Sequence, residues 1–463
     1  MLAIWDTPPN APGIHSHIQN HGWKQLAHGN SHMIALCHDG QVFTWGNNNH
    51  RKLGHEGTEH QVPTKVNIEG TFVFVAGGAE MSAAVTNHGT LYIWGLLESN
   101  NYDVPTKIEG ALVHEKVTQV ACGYRHIVVL TESGSVYTWG MYVYTGHDTY
   151  RVEEPQKLRG LNDKHVILVS ANEYHSACVT DDGEVFTWGD QDARKSGQLG
   201  HRHYDFMTPT QIKYLKSVKV THVSCGDYHS ALCTEEGKVY LFGCASSSVE
   251  PMMSPSLVPE LDGKFVTKVK CGCYRTIALT DTGEVYSWVD EDGVDDSVSF
   301  VPRLVKGLDE YNAVDISSYS NSYGAIIVPN PQPKDMRPGF DKKDDHGITF
   351  MVEKQSIYAH RDILIQRSDY FKAMFESNMR ESTENVVSIP KCSKDIFLTL
   401  LEYIYFHEPF KMSIDDSEDL FQLADMYQLK TLMQTIKRTW DKENHELSDD
   451  FLEAFERNGL DLP

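Results

Sequence analysis

One strand ending recurs six times at an unchanging internal register, and it constrains the fold more tightly than any other feature of the chain. It is centred on Trp45, Trp94, Trp139, Trp188, Phe242 and Trp288. Five residues before each centre stands a glycine: Gly40, Gly89, Gly134, Gly183, Gly237 or Gly283. Thirteen before stands His32, Met81, His126, His175, His229 or Arg275, and sixteen before stands Gly29, Gly78, Gly123, Asn172, Gly226 or Gly272. These offsets never slip, although successive centres lie 45 to 54 residues apart. Length variation is thus confined to loops, as required when each unit presents the same packed sheet to its neighbours.

Within a unit, Val120-Ala-Cys-Gly123, Ile127-Val-Val-Leu130 and Val136-Tyr-Thr-Trp139 are short apolar runs. Turn residues such as Glu132-Ser133-Gly134 separate them, the pattern of antiparallel hairpins. A later proline (Pro63, Pro105, Pro155, Pro209, Pro259 or Pro302) is expected to open a further edge strand, where a missing N–H is tolerated. Four short strands in about 50 residues describe a propeller blade.

A seventh unit is split between the two ends of this region. Ile316–Tyr319 and Ser322–Ile326 match Val169–Asn172 and His175–Val179, and the match stops where the hairpin glycine is due. Leu2-Ala3-Ile4-Trp5-Asp6 resembles Val136–Gly140 and supplies the missing strand. The expected fold over residues 1–328 is an all-β seven-bladed propeller with N-terminal strand closure. Such closure removes the two sheet edges that an open ring would expose.

These repeats resemble those of the regulator-of-chromosome-condensation family, down to Leu53-Gly54-His55 and Ser196-Gly-Gln-Leu-Gly-His201 after two of the strands. The repeated tryptophans read as core packing, worth roughly 3–5 kcal/mol each on truncation to alanine. His32, His126, His175 and His229 read as buried histidines with hydrogen-bond partners. The family includes a nucleotide-exchange factor for a small GTPase, so exchange activity is one function that the resemblance implies.

Residues 329–345 hold four prolines and no apolar periodicity, and read as a linker. Beyond it, Ile348–Val352 and Ser356–Ala359 alternate as a small hairpin, while His360–Ile365 and Tyr370–Phe375 read as short helices. Val386–Ile389 is a strand stopped by Pro390. Ser393 is placed to cap a helix carrying Ile396, Phe397, Leu400, Leu401 and Ile404 at helical spacing. A further helix is expected from about Asp416, and a last one from Leu429 to about Trp440. Tyr358-Ala-His-Arg-Asp-Ile-Leu364, with Ser368, Phe371, Met374 and Phe375, resembles the BTB/POZ signature. Residues 346–440 are accordingly identified as a small α/β BTB/POZ domain, and residues 441–463 as a short C-terminal helix or tail.

The BTB/POZ resemblance implies a cullin scaffold as partner, bound through a hydrophobic-x-Glu motif that Met379, Arg380 and Glu381 match here. An exposed methionine can fill an irregular apolar pocket on a partner helix. Self-association of the domain is also implied, although the helix that often builds the homodimer is replaced by the linker. Only Ser448–Arg457 is available for the helical extension of cullin-binding members.

Charge narrows the partner classes. The formal net charge is −23, with 41 Lys and Arg against 64 Asp and Glu. An acidic chain with no basic half exerts little pull on nucleic acid or anionic lipid. The N-terminus has no signal-peptide pattern and no apolar run is long enough to cross a membrane, so no membrane insertion is expected. Nine cysteines without paired spacing suit a reducing compartment, cytoplasmic or nuclear. Cys271-Gly-Cys273 lacks the second Cys/His pair of a zinc site, so no metal is expected. His55-Glu-Gly-Thr-Glu-His60 is one residue too long for a zinc-protease helix, and Gly189–Ser196 has Arg194 where a phosphate loop needs glycine. No assembled catalytic site and no cofactor motif emerge, so the chain is not expected to be an enzyme.

The expected function is an adaptor: a protein client on the propeller face, a cullin-type ubiquitin ligase on the BTB domain. A non-degradative scaffold in trafficking or transcription is the alternative, ahead of small-GTPase exchange. For the client, the aromatic loop containing Tyr142, Tyr144 and Tyr150 offers interface anchors. The acidic run containing Glu291 and Asp292 favours a basic client.

Overall fold

The computed structural model describes residues 2–5, 13–14, 22–149, 151–161, 163–190, 196–202, 206–244, 250–288, 301–308, 311–319, 322–329, 347–361, 364–365, 368–376, 386–389, 392–406, 414–427, 429, 432–433 and 436. The chain forms two compact units, Met1–Asn330 and Pro331–Pro463.

In the first unit the described residues form seven four-stranded antiparallel sheets. Blade 1 runs Trp23–Gly29, His32–Cys37, Val42–Asn47 and Glu59–Lys65, paired in that order. The first strands of blades 2 to 7 are Phe72–Gly77, Val117–Cys122, Val166–Ala171, Val220–Cys225, Val266–Cys271 and Tyr311–Tyr319. Each of these first strands neighbours the next around the ring, and that of blade 7 returns to blade 1. They are the inner wall of a closed propeller. In blade 7 the third strand is Leu2–Trp5, which pairs Leu2 with Ile326 and Trp5 with Tyr323. The N-terminal closure read from the sequence is therefore present, with Leu2 and Ala3 fully buried.

The repeated residues hold blade to blade. The glycine five before each centre has φ between +74° and +82°, in the left-handed region that a side chain resists. Its carbonyl accepts an N–H from the next blade, as from Phe72 to Gly40 (3.0 Å) and Val117 to Gly89 (3.0 Å). Sixteen before the centre, where every unit but that of Asn172 has glycine, the backbones approach closely: a Cβ on Gly226 would lie 2.4 Å from the Gly272 carbonyl oxygen. The tryptophans are wedges between blades. Trp94 packs on Ile34, Leu36 and Val42 of blade 1, and Trp188 on Val128, Leu130 and Val136 of blade 3. The core reading of these residues holds.

Inner strands have one unpaired edge, and the preceding blade satisfies it. Gln25 Oε1 accepts from Val75 N (3.1 Å), Asp315 Oδ2 from Leu26 N (3.0 Å) and Gln119 Oε1 from Val169 N (3.4 Å). These three acceptors occupy one repeat position, so at three of the seven blade junctions an orphan donor is closed side chain to backbone.

One expected repeat position is corrected. Pro63, Pro105 and Pro155 lie inside outer strands, and Pro209 and Pro302 directly precede theirs. In blade 5 the equivalent proline is Pro255, within Met252–Leu257, whereas Pro259 opens a short 3-10 helix, Pro259–Leu261. The hydrogen bond from Val258 N to Val239 O (2.9 Å) repeats that from Val66 N to Val42 O, and it fixes this register.

In the second unit, Ile348–Val352 pairs antiparallel with Gln355–Ala359 and parallel with Val386–Ile389. Among the described residues three continuous helices pack there: α1 (Asp369–Glu376), α2 (Lys394–Phe406) and α3 (Ile414–Met426). The last begins two residues before the expected Asp416. Ser393 caps α2 as expected, its Oγ accepting from Ile396 N at 3.3 Å. Phe350, Phe371, Phe397 and Tyr427 meet at centroid distances of 5.0 to 6.4 Å, a dense aromatic core for so small a fold. Of the last expected helix, residues 429, 432, 433 and 436 are described; the last three are helical, whereas the expected first residue, Leu429, is not. The expected linker lies outside the described residues except for Pro329.

Candidate functional site

The turns joining first to second strands all leave the inner wall at the same end of the ring, because all blades share one strand order. They bring the residues just before the repeated histidines together at this turn face. In three successive blades that residue is tyrosine: Tyr174, Tyr228 and Tyr274. Tyr174 lies 6.2 Å from Tyr144 and 6.4 Å from Tyr228 between ring centroids. Tyr228 and Tyr274 stack at 4.8 Å and 16°. Four rings from blades 3 to 6 thus form one row, ending on the exposed Tyr274. Arg275 closes it by lying over the Tyr323 ring at 4.3 Å. Tyr124 and Arg125 are exposed on the same turns, with the guanidinium 5.0 Å from the Tyr124 ring.

Tyr144 is held in place by what its own backbone does. Its carbonyl accepts from Trp188 Nε1 (3.0 Å) and Ser176 Oγ (3.3 Å), and its ring lies 5.6 Å from His126. The row therefore rests on the blade-to-blade core rather than on a free loop.

Two carboxylates flank the row. Glu173 is half-buried, whereas Asp227 is buried and its Oδ1 has no hydrogen-bond partner among the described residues. Burial, reinforced by the Glu173 charge, pushes Asp227 up to about 7. Burial and then the charge of Asp227 push the Cys273 thiol upward as well. Tyr319, on the inner strand of blade 7, is buried, its hydroxyl has no hydrogen-bond partner among the described residues, and it feels the charges of Asp227, Glu173 and Glu80 from three other blades. By contrast Glu80 is neutralised by Lys52 at 2.8 Å. The blade 4 and 5 side of the turn face is thus aromatic and negative.

Tyr144 is the one expected client residue whose side chain is described. The side chain of Tyr142, and Tyr150, Glu291 and Asp292, lie outside the described residues, as do Met379, Arg380 and Glu381. Tyr174, Tyr228, Tyr274, Glu173 and Asp227 were not singled out by sequence, although tyrosine at one offset in three consecutive units is a legible departure from the repeat. The Cys271 and Cys273 thiols go different ways, one toward Thr276 and the other toward Asp227. Among the described residues no group of three or more His, Cys, Asp or Glu could hold a metal ion, and no helix is long and apolar enough to cross a membrane.

Comparison with known proteins agrees with this architecture. The family model for the RCC1-like domain matches residues 5–319, and that for the BTB/POZ domain matches residues 338–444. The ultraviolet-B receptor UVR8 of Arabidopsis thaliana is 34% identical over 235 residues, covering 48% of this chain and 52% of that protein. The E3 ubiquitin-protein ligase HERC2 of Homo sapiens is 31% identical over 228 residues, covering 46% of this chain and 5% of the ligase. The chain thus spans about half the length of the first relative and a small part of the second. Among solved structures, Prp20p of Saccharomyces cerevisiae superposes with a TM-score of 0.64 at 19% identity, over 73% of this chain and 93% of that one. Human WBSCR16 does so with 0.59 at 21%, over 67% and 87%. At these identities the structures speak for the fold alone. With the family model matching residues 5–319, more than half of the chain, the chain belongs to the RCC1-like domain family, and a BTB/POZ domain follows its propeller.

Proposed function

We propose that this protein is an adaptor that holds a protein client on the turn face of its propeller and recruits a cullin-type ubiquitin ligase through its BTB/POZ domain. The observation that carries the client half is the tyrosine row from Tyr144 to Tyr274. Tyrosines present large contact area at low entropy cost and anchor interfaces. The half-buried Glu173 beside the row, with Asp227 partly ionised near neutrality, favours a client segment bearing lysine or arginine.

The ligase half rests on the BTB/POZ fold together with Met379-Arg380-Glu381 in the segment between α1 and the Val386–Ile389 strand. A methionine with a glutamate two residues on supplies an apolar plug and one charge for a helical partner. The double variant Met379→Glu, Glu381→Ala is expected to lose co-purification with a cullin while retaining clients. Cullin recovery equal to wild type would overturn the docking site, and retained client capture would then leave a non-degradative scaffold as the reading.

A further inference from the structure

Two buried acceptors stand without donors beside the tyrosine row, at the junction of blades 4 and 5. Asp227 is 4% exposed and Asn172 1%, and the Oδ1 atom of each has no hydrogen-bond partner among the described residues. Asn172 directly follows the inner strand of blade 4, at a position where five other blades have glycine. Its Nδ2 donates to the Cys225 carbonyl at 3.3 Å, which carries the amide across the junction to the strand end that bears Asp227. Asp227 is tied in turn to blade 6, its N–H donating to the Gly272 carbonyl at 3.0 Å. Glu173 and Asp227 directly precede Tyr174 and Tyr228, whose rings lie 6.4 Å apart.

Buried acceptors are ordinarily given donors, because leaving them bare forfeits their hydration. The groups around Asp227 do not make up that loss with a cation. Blade 4 contributes Glu173 and Tyr174, and its own turn contributes Tyr228 and His229. Blade 6 contributes Cys273 and Tyr274, and blade 7 contributes Tyr319. Arg275, on the blade 6 turn, lies over the Tyr323 ring of blade 7 instead. A carboxyl and an amide oxygen are thus left facing a missing donor at the end of the ring that carries the aromatic row.

We propose that Asn172 and Asp227 receive one lysine ammonium of the client, and that docking of this ammonium expels a proton from the Asp227 carboxyl. The proposal rests on the reading of the turn face as the client site, and it names the side chain recognised and how binding is regulated. An ammonium carries three donors on one atom and can meet two neighbouring acceptors, whereas a guanidinium spreads its donors in a plane. The ammonium keeps its protons, the carboxyl O–H bond breaks, and solvent takes the proton that leaves. Burial, then the Glu173 charge, raises Asp227 to about 7, so below neutrality the docking charge must displace a bound proton. Other groups keep one state there: burial holds His229 at about 4 and pushes Cys273, Tyr228 and Tyr274 upward. Affinity should accordingly fall about tenfold from pH 8 to pH 6.

The test uses the full chain and a display library of random octapeptides without histidine, selected at pH 8. Selected peptides are expected to carry a lysine, and the tightest should bind at least tenfold more weakly once that lysine is acetylated. Wild type is expected to bind this peptide about tenfold more weakly at pH 6 than at pH 8. Calorimetry at pH 7 in buffers of different ionisation enthalpy should show protons released. Asp227→Asn is expected to bind at least tenfold more weakly at pH 8 and to lose the pH dependence. Without peptide, a carboxyl raised above its unfolded value destabilises the fold as pH rises, so Asp227→Asn should melt above wild type at pH 8 and by a smaller margin at pH 5. No such gain at pH 8 would overturn the proposal, since the charge would then be met within the chain. Equal binding at pH 6 and 8, or equal binding when arginine replaces the lysine, would overturn it as well. Peptides that need Tyr228 but neither lysine nor Asp227 would overturn it and leave the turn face as a client site. Peptides indifferent to Tyr228→Ala, or none selected, would overturn both.

Discussion

His175 Nε2 lies 2.6 Å from Ser230 Oγ, across the boundary between blades 4 and 5. Ser230 gives its own hydrogen to the Gln198 carbonyl (2.9 Å), so the imidazole is the donor at Nε2. Its Nδ1 then accepts from Gln198 Nε2 at 3.2 Å. The same bridge recurs from His32 to Ser82 (3.0 Å), His126 to Ser176 (2.8 Å) and His229 to Thr276 (2.7 Å). In each case the partner is the residue directly after the next blade's copy of the histidine position. One repeat position therefore staples each of these blades to its successor.

These imidazoles make the ring sensitive to acid. Burial holds His32, His126 and His175 at about 3 and His229 at about 4, against 6.5 for the free side chain. A base whose folded value is depressed takes up more protons when unfolded, so stability is complete above pH 6.5 and falls as pH drops toward 3. Each histidine is expected to cost about 1 kcal/mol by pH 5.5. Urea titrations at pH 7.5 and 5.5 should show the propeller transition moving to lower urea. Replacing His126 by Gln should remove that histidine's share of the pH dependence, about a quarter of it, while lowering stability at pH 7.5.

Leu2 and Ala3 are buried between different neighbours. Leu2 joins Trp45 of blade 1, whereas Ala3 joins Ile277 and Leu279 of blade 6. The N-terminal strand is thus a clasp on both sides of the seventh blade. Leu2→Ala is expected to lower propeller stability by about 2–4 kcal/mol through the cavity it leaves. Removing the first ten residues should lower the melting temperature further, because Ser322–Pro329 would then become a bare edge. Calorimetry of the two proteins against wild type checks both, and unchanged melting after the deletion would disprove the clasp.

The positions that sequence made legible are those where geometry admits one residue type. A left-handed turn wants glycine, an inter-blade wedge wants a large flat ring, and a staple between blades wants histidine with a hydroxyl partner. Such positions repeat in identity, so the offsets exposed them. The edge-satisfying position does not: Gln25, Gln119 and Asp315 perform one task with different side chains, because any acceptor of suitable reach will serve. Pro255 was missed for a related reason. The outer strand sits at varying distance from its centre, and only its ladder partner Val239 fixes the register. The tyrosine row was hidden because Tyr144 comes from a different loop from the other three, and only folding places it beside Tyr174.

Close approach and backbone conformation make separable demands on glycine. Gly226 lies opposite the Gly272 carbonyl, with a Cβ contact of 2.4 Å, and backbone atoms cannot move aside as a side-chain tip can. Gly263 has φ of +82° but nothing within 4 Å of a Cβ. Gly263→Ala is expected to cost about 1–2 kcal/mol, the strain of a left-handed alanine. Gly226→Ala should cost more, since the inner wall must part there. Chemical denaturation of the pair checks the order.

The turn face predicts how client binding divides among aromatic residues. Tyr228 and Tyr274 stack on each other, so truncating Tyr228 removes both its own contact and the support of the exposed Tyr274 ring. The stack is worth about 0.5–1.5 kcal/mol in the free protein, whereas loss of an interface anchor costs about 2 kcal/mol or more in binding. Tyr228→Ala is therefore expected to leave the propeller folded and reduce client capture at least tenfold. Tyr214, more exposed than either but set in a short 3-10 helix outside the row, serves as the control. Tyr214→Ala should capture clients as wild type does, because exposure without the neighbouring rings and carboxylates makes no docking surface. Proximity labelling in cells, with protein levels matched, reads the difference, and equal labelling by Tyr228→Ala and wild type would move the client site off this face.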